Sequence, residues 1–176
     1  PRDSRVSLRP IVAIAASTGG PSALATVLSG LGSLAAPVLV VQHLHPEFTN
    51  GLLEWMVRAS ALPVELATAH QMPRPGRVYL APACRHLCLS VSNRLELREA
   101  PATIHRPSAD QLFESVAGQG AAAIGVLLTG MGDDGARGLL AIHERGGQTL
   151  AQDAASCAVF GMPRAAQLLG AVSDMI

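Results

Sequence analysis

The sequence predicts an α/β fold: a doubly wound, mostly parallel sheet flanked by helices, with a β-hairpin inserted near 77–99. Three observations carry that expectation. Continuous apolar runs recur along the chain, helix-like stretches follow them, and glycine-rich turns join the two. A strand that is apolar at every position is buried on both faces, as in a parallel sheet covered by helices.

The elements follow in order. Residues 1–10 are polar and aperiodic at their start and read as a linker stub or disordered terminus, leaving 11–176 as one domain. IVAIAA (11–16) is the first buried strand; STGG turns it into a helix over SALATVLSGL. PVLVVQH (37–43) is the second, followed by a helix from Glu47 to about Ala61. VELATA, RVYLAP, HLCLSV and RLELRE are shorter strand candidates, with Ser92–Asn93 as the turn between the last two. Ser108 is a candidate N-cap for a helix running from Asp110 to about Gly118. AAAIGVLL (121–128) is the third buried strand, and the helix ARGLLAIHERG after it closes on Gly146–Gly147. QTLAQD is the fourth, and MPRAAQLLG starts a helix with Pro163 in its first turn.

Composition removes several classes of function. Thirteen basic residues balance thirteen acidic ones, and every basic residue is arginine. Without lysine there is no Schiff-base, P-loop or Ser–Lys chemistry. Zero net charge and 3% aromatic residues argue against a nucleic-acid partner. No apolar stretch reaches the ~18 residues of a membrane span, and the first residues lack the apolar core of a secretory signal. Three cysteines (Cys84, Cys88, Cys157) form no disulfide framework, so a reducing, cytoplasmic setting is expected. Strand alternation would aim Cys84, His86 and Cys88 along one face, but no second ligand pair stands nearby. His43 and His45 likewise lack a third ligand. No metal and no cofactor is expected.

The candidate chemistry falls at strand ends. Ser17 follows the first strand, His43 ends the second, and Asp134 lies in the TGMGDDG loop after the third. Ligands of open α/β sheets bind beyond the carboxyl ends of the strands. If these strands are neighbours, a hydroxyl, an imidazole and a carboxylate converge: a weak nucleophile, a base to take its proton, and an acid to hold the base. Unpaired N–H groups after Ser17 could hold a developing oxyanion, and Gly130-Met131-Gly132 supplies a second stretch of backbone that can approach a ligand closely. Each residue also has a plainer reading. Ser17 could be an N-cap, His43 a satisfied rim histidine, and Asp134 or Asp133 the cap of the following helix. STGG could cradle a phosphate, although GxGxxG and GxxxxGK[ST] are both absent.

Six ordered blocks carry a further resemblance: IAASTGGPSAL, VVQHLHPEFT, GRVYLAPACRHL, HRPSADQLFESVA, LLTGMGDDGARGL and AQDAASCAVFGMPRAA. Together they resemble the catalytic domain of the CheB family of chemotaxis receptor methylesterases, from about Ile11 to the C-terminus. The resemblance implies a serine esterase that removes methyl esters from γ-glutamyl side chains on the cytoplasmic helices of methyl-accepting chemotaxis receptors. It also implies deamidation of receptor glutamines. Carried over residue by residue, it makes Ser17 the nucleophile, His43 the base and Asp134 the acid. Met131 contributes to the oxyanion hole, and Thr18 lines the site. The alternatives are a degenerate receptor-binding scaffold and a phosphate- or nucleotide-binding module.

The chain departs from the family pattern at three positions. Ala15 stands where glycine is usual, which is tolerable if its backbone φ is negative. Leu44 replaces a methionine with little change of volume. Asp133 replaces a common asparagine, and a second carboxylate beside the triad acid is expected to move activity to higher pH. Members also carry an N-terminal phosphoacceptor receiver domain, for which these 176 residues leave no room. Arg98, Arg106 and the hairpin 86–98 could rim a substrate groove or simply be solvated.

Overall fold

A computed structural model describes residues 10–99 and 105–176. The expected linker stub lies, apart from Pro10, outside the described residues. Seven strands form one parallel sheet: β1 (Ile11–Ala16), β2 (Val38–Gln42), β3 (Val64–Leu66), β4 (Val78–Leu80), β7 (Ala123–Leu127), β8 (Gln148–Ala151) and β9 (Asp174–Met175). Strands β5 (His86–Leu89) and β6 (Leu95–Arg98) form a separate antiparallel hairpin. The helices are α1 (Gly20–Ser29), α2 (Thr49–Ala59), α3 (Ala109–Val116), α4 (Ala136–Glu144) and α5 (Met162–Leu168). No helix of the described residues is long and apolar enough to cross a membrane.

The run IVAIAA explains the layering. All six of its residues are buried, because alternate side chains enter two different cores. Val12, Ile14 and Ala16 pack with Leu24 and Leu28 of α1 and Leu52 and Met56 of α2. Ala13 and Ala15 join Phe113 of α3, Leu139 of α4, Met162 of α5, and Leu87 and Leu95 of the hairpin. The sheet is therefore covered on both faces. Ala15 is a regular strand residue outside the positive-φ set, so its methyl is accommodated in the core.

Strand order is β3-β4-β2-β1-β7-β8-β9. From β1 the chain passes to β2, crosses to the edge strand β3 and steps back to β4 between them, then returns to build β7, β8 and β9 on the other side. The direction reverses between β1 and β7, and the carboxyl ends of β1, β2 and β7 are adjacent. That reversal creates the crevice where ligands of such sheets bind.

Three details differ from the sequence expectations. The insertion is tighter than 77–99: Val78–Leu80 joins the main sheet, and the hairpin runs from His86 to Arg98, closed by Asn93 at φ 58°. Cys84 sits in a left-handed turn at φ 66°, outside β5, so only His86 and Cys88 share a strand. The edge strand β9 has no apolar run to announce it and pairs through two residues, Asp174 and Met175.

Candidate active site

Ser17 follows β1, and its backbone is held from three sides. Its N–H donates to Thr129 O (2.9 Å), and its carbonyl accepts from Gly20 N (2.8 Å) and Gln42 Nε2 (2.8 Å). The same Gln42 amide donates to His43 O (2.9 Å), and His43 N donates to Ala16 O (3.0 Å). One buried amide thus ties the serine turn to the histidine strand end. The glycines are needed here because the chains touch. A Cβ on Gly20 would collide with Gln42 Oε1; one on Gly130 would lie 2.7 Å from Ser17 Cβ and collide with Met162 Sδ.

His43 Nε2 lies 2.7 Å from Asp134 Oδ2, with only 10% and 7% of the two side chains exposed. An ionised carboxylate only accepts, so Nε2 keeps its proton and donates it in the hydrogen bond, leaving the lone pair on Nδ1. Nδ1 is buried without a hydrogen-bond partner. Its ring stacks on His105, centroids 4.5 Å apart and planes within 7°.

Asp134 does not cap the helix that follows it. Its carboxylate sits at the N-terminus of α3, where Ser108 Oγ (2.8 Å), Ala109 N (2.7 Å) and Asp110 N (3.0 Å) donate to it. Burial opposes its ionisation; the hydrogen bonds from His43, Asp110, Ala109 and Ser108 outweigh burial and hold the carboxyl at about 2. Ser108 is also the N-cap of α3, as expected, accepting from Gln111 N. Its own N–H donates to Nδ1 of buried His86 (3.1 Å), whose imidazole burial pushes below its ordinary range.

The structure thus brings Ser17, His43 and Asp134 to one rim, with Thr18 and Met131 exposed beside them; Met131 is 64% exposed. Among the described residues, no acceptor takes the Thr18 or Met131 peptide N–H. Thr129, fully enclosed, binds the loops together by donating to Thr18 O (2.9 Å) and accepting from Val159 N (2.9 Å). Asp133 is exposed. Arg98 is paired with Glu96 (2.6 Å), whereas Arg106 is exposed near His86. No grouping of three His, Cys, Asp or Glu among the described residues could hold a metal ion.

Sequence reasoning missed Gln42, Asp110 and His105. The Ser108-x-Asp110 pattern announced a helix start, but nothing in the spacing said which carboxylate would seat on it.

Comparison with known proteins gives a consistent picture. A family model described as CheB methylesterase matches residues 12–176. Protein-glutamate methylesterase/protein-glutamine glutaminase 2 of Cupriavidus metallidurans is 50% identical over 169 residues, covering 94% of this chain and 50% of the relative. Protein-glutamate methylesterase FrzG of Myxococcus xanthus is 49% identical over 171 residues, covering 95% and 51%. The crystal structure of the Thermotoga maritima CheB methylesterase catalytic domain superposes with a TM-score of 0.90 at 35% identity, covering 95% of this chain and 92% of that one. The chain spans about half the length of the curated relatives it matches. It belongs to the CheB methylesterase family.

Proposed function

We propose that this chain is a serine hydrolase that removes methyl esters from γ-glutamyl side chains on the cytoplasmic helices of methyl-accepting chemotaxis receptors. It acts in the cytoplasm and also deamidates receptor glutamines. The observation that carries this reading is the 2.7 Å contact between His43 Nε2 and Asp134 Oδ2, which leaves Nδ1 buried and unbonded at the strand end that Gln42 ties to the Ser17 turn.

The chemistry follows from that tautomer. His43 Nδ1 takes the Ser17 proton as Oγ bonds to the γ-ester carbonyl carbon. The carbonyl oxygen becomes an oxyanion, received by the Thr18 and Met131 N–H groups, and ionised Asp134 offsets the imidazolium charge. The bond to the methoxy oxygen breaks, and methanol leaves with the proton from Nδ1. Water then gives its proton to Nδ1 and attacks the acyl-enzyme. Ser17 departs with that proton and the substrate keeps a free γ-carboxylate. For a glutamine the leaving group is ammonia.

The test is methanol release from methylated receptor membranes. The parent chain releases methanol, and Ser17→Ala reduces it by roughly 10⁴-fold or more. Release by Ser17→Ala at the parent rate contradicts the reading.

A further inference from the structure

Helices α3 and α4 exchange their caps. Asp134 precedes α4 yet seats on the N-terminus of α3, while Asp110, in the first turn of α3, reaches across to α4. Asp110 Oδ1 accepts from Gly135 N (3.0 Å) and Gly138 N (2.8 Å), and its Oδ2 from Arg137 Nε (3.2 Å) and Nη2 (3.1 Å). Asp110 is 6% exposed, whereas the Arg137 side chain is 80% exposed, so the two amides are the buried part of this arrangement. They lie at the start of α4, one at its N-cap and one in its first turn. Gly135 has φ 95°, the N-cap of α4 has no side-chain cap of its own, and a Cβ on Gly138 would press within 2.8 Å of Asp110 O.

The Gly135 N–H belongs to the peptide that Asp134 itself begins. Holding that N–H fixes the peptide plane on the carboxyl side of Asp134, while the Asp110 N–H grips the Asp134 carboxylate directly. One residue therefore constrains both ends of Asp134: its main chain through Oδ1 and its carboxylate through N. We propose that Asp110 is a positioning residue for the hydrolysis, setting the direction in which Asp134 presents Oδ2 to His43. The proposal rests on the triad reading above. What matters is the acceptor at Oδ1, and the charge of Asp110, shared with solvated Arg137, is secondary.

Three variants separate these roles, with methanol release, melting temperature and the downfield proton resonance of the imidazole N–H held by a carboxylate as readouts. Asp110→Ala removes the acceptor. It lowers kcat by about 10²-fold with KM within twofold, the cost of a base pair of groups misaligned by about an ångström. It also broadens or shifts the downfield resonance at temperatures well below melting. Asp110→Asn keeps an oxygen at Oδ1 and restores kcat to within a few-fold of the parent, with the resonance in place. Asp110→Glu keeps the charge but displaces the acceptor, and stays impaired even where Asp110→Ala fails to fold. The proposal is overturned if Asp110→Ala keeps parental kcat, or if Glu rescues and Asn does not. Asp134→Asn run alongside distinguishes the two levels. If it is fully active, the triad reading itself fails; if it is inactive while Asp110→Ala is not, only the positioning role fails.

Discussion

The carboxylate of Asp134 holds Nε2 of His43 at 2.7 Å and leaves Nδ1 of the same ring buried and unbonded. In the proposed mechanism the proton that reaches the leaving group therefore travels through Nδ1. Asp134→Asn keeps the size of the side chain but offers an amide that can turn its N–H₂ toward the ring, favouring the wrong tautomer. Methanol release is expected to fall by about 10⁴-fold in kcat with KM little changed, as for other triads that lose their acid. A loss in KM alone would contradict this role.

The same carboxylate contributes to acid stability, with a definite sign. Its folded value of about 2 lies below its ordinary 3.8, so the unfolded chain binds the proton more readily. The stabilisation is complete above pH ~4 and disappears as pH falls through about 2. Its size is about 2 kcal/mol. Urea unfolding of parent and Asp134→Asn between pH 6 and pH 2 should show a shallower decline for the variant, by about that amount. Parallel curves would contradict it.

Gly130 is required by contact. A methyl group there lies 2.7 Å from Ser17 Cβ and collides with Met162, which is fully buried and has little room to yield. Gly130→Ala should destabilise by about 1–3 kcal/mol. It should also displace the serine turn, so kcat falls at temperatures where the variant remains folded. A variant with parental melting temperature and activity would show that the loop is looser than this.

Asp133 is exposed, so the expected effect of its charge on the site is a solvent-screened one. Asp133→Asn is expected to move the acid limb of the pH–rate profile to lower pH at low ionic strength. The shift should fade at ~1 M salt, where the screening length is about 3 Å. A shift that survives high salt would mean a direct contact with the triad.

Much of this was legible in the sequence for a simple reason. Ser17, His43 and Asp134 each follow a buried apolar run, and such a run fixes where a strand ends and so where its next residue lies. The runs at 11–16, 37–43 and 121–128 all became strands of one parallel sheet. What stayed hidden depends on which element meets which. Asp134 and Asp110 are 24 residues apart; in the sequence Asp134 could cap its own helix and Asp110 simply began another, and the exchange appears only once α3 packs on α4. Gln42 reads as one more strand residue until its amide is seen spanning the backbones of Ser17 and His43. The left-handed turn at Cys84 likewise broke an alternation that the letters alone supported.

The proposed mechanism makes Ser17 the nucleophile activated by His43. The most direct measurement is mass-spectrometric mapping of the adduct formed with a fluorophosphonate probe. A single adduct on the peptide containing Ser17, lost in both Ser17→Ala and His43→Ala, is the predicted result. Adduct formation on another residue, or an active esterase whose Ser17 stays unmodified, would contradict the account.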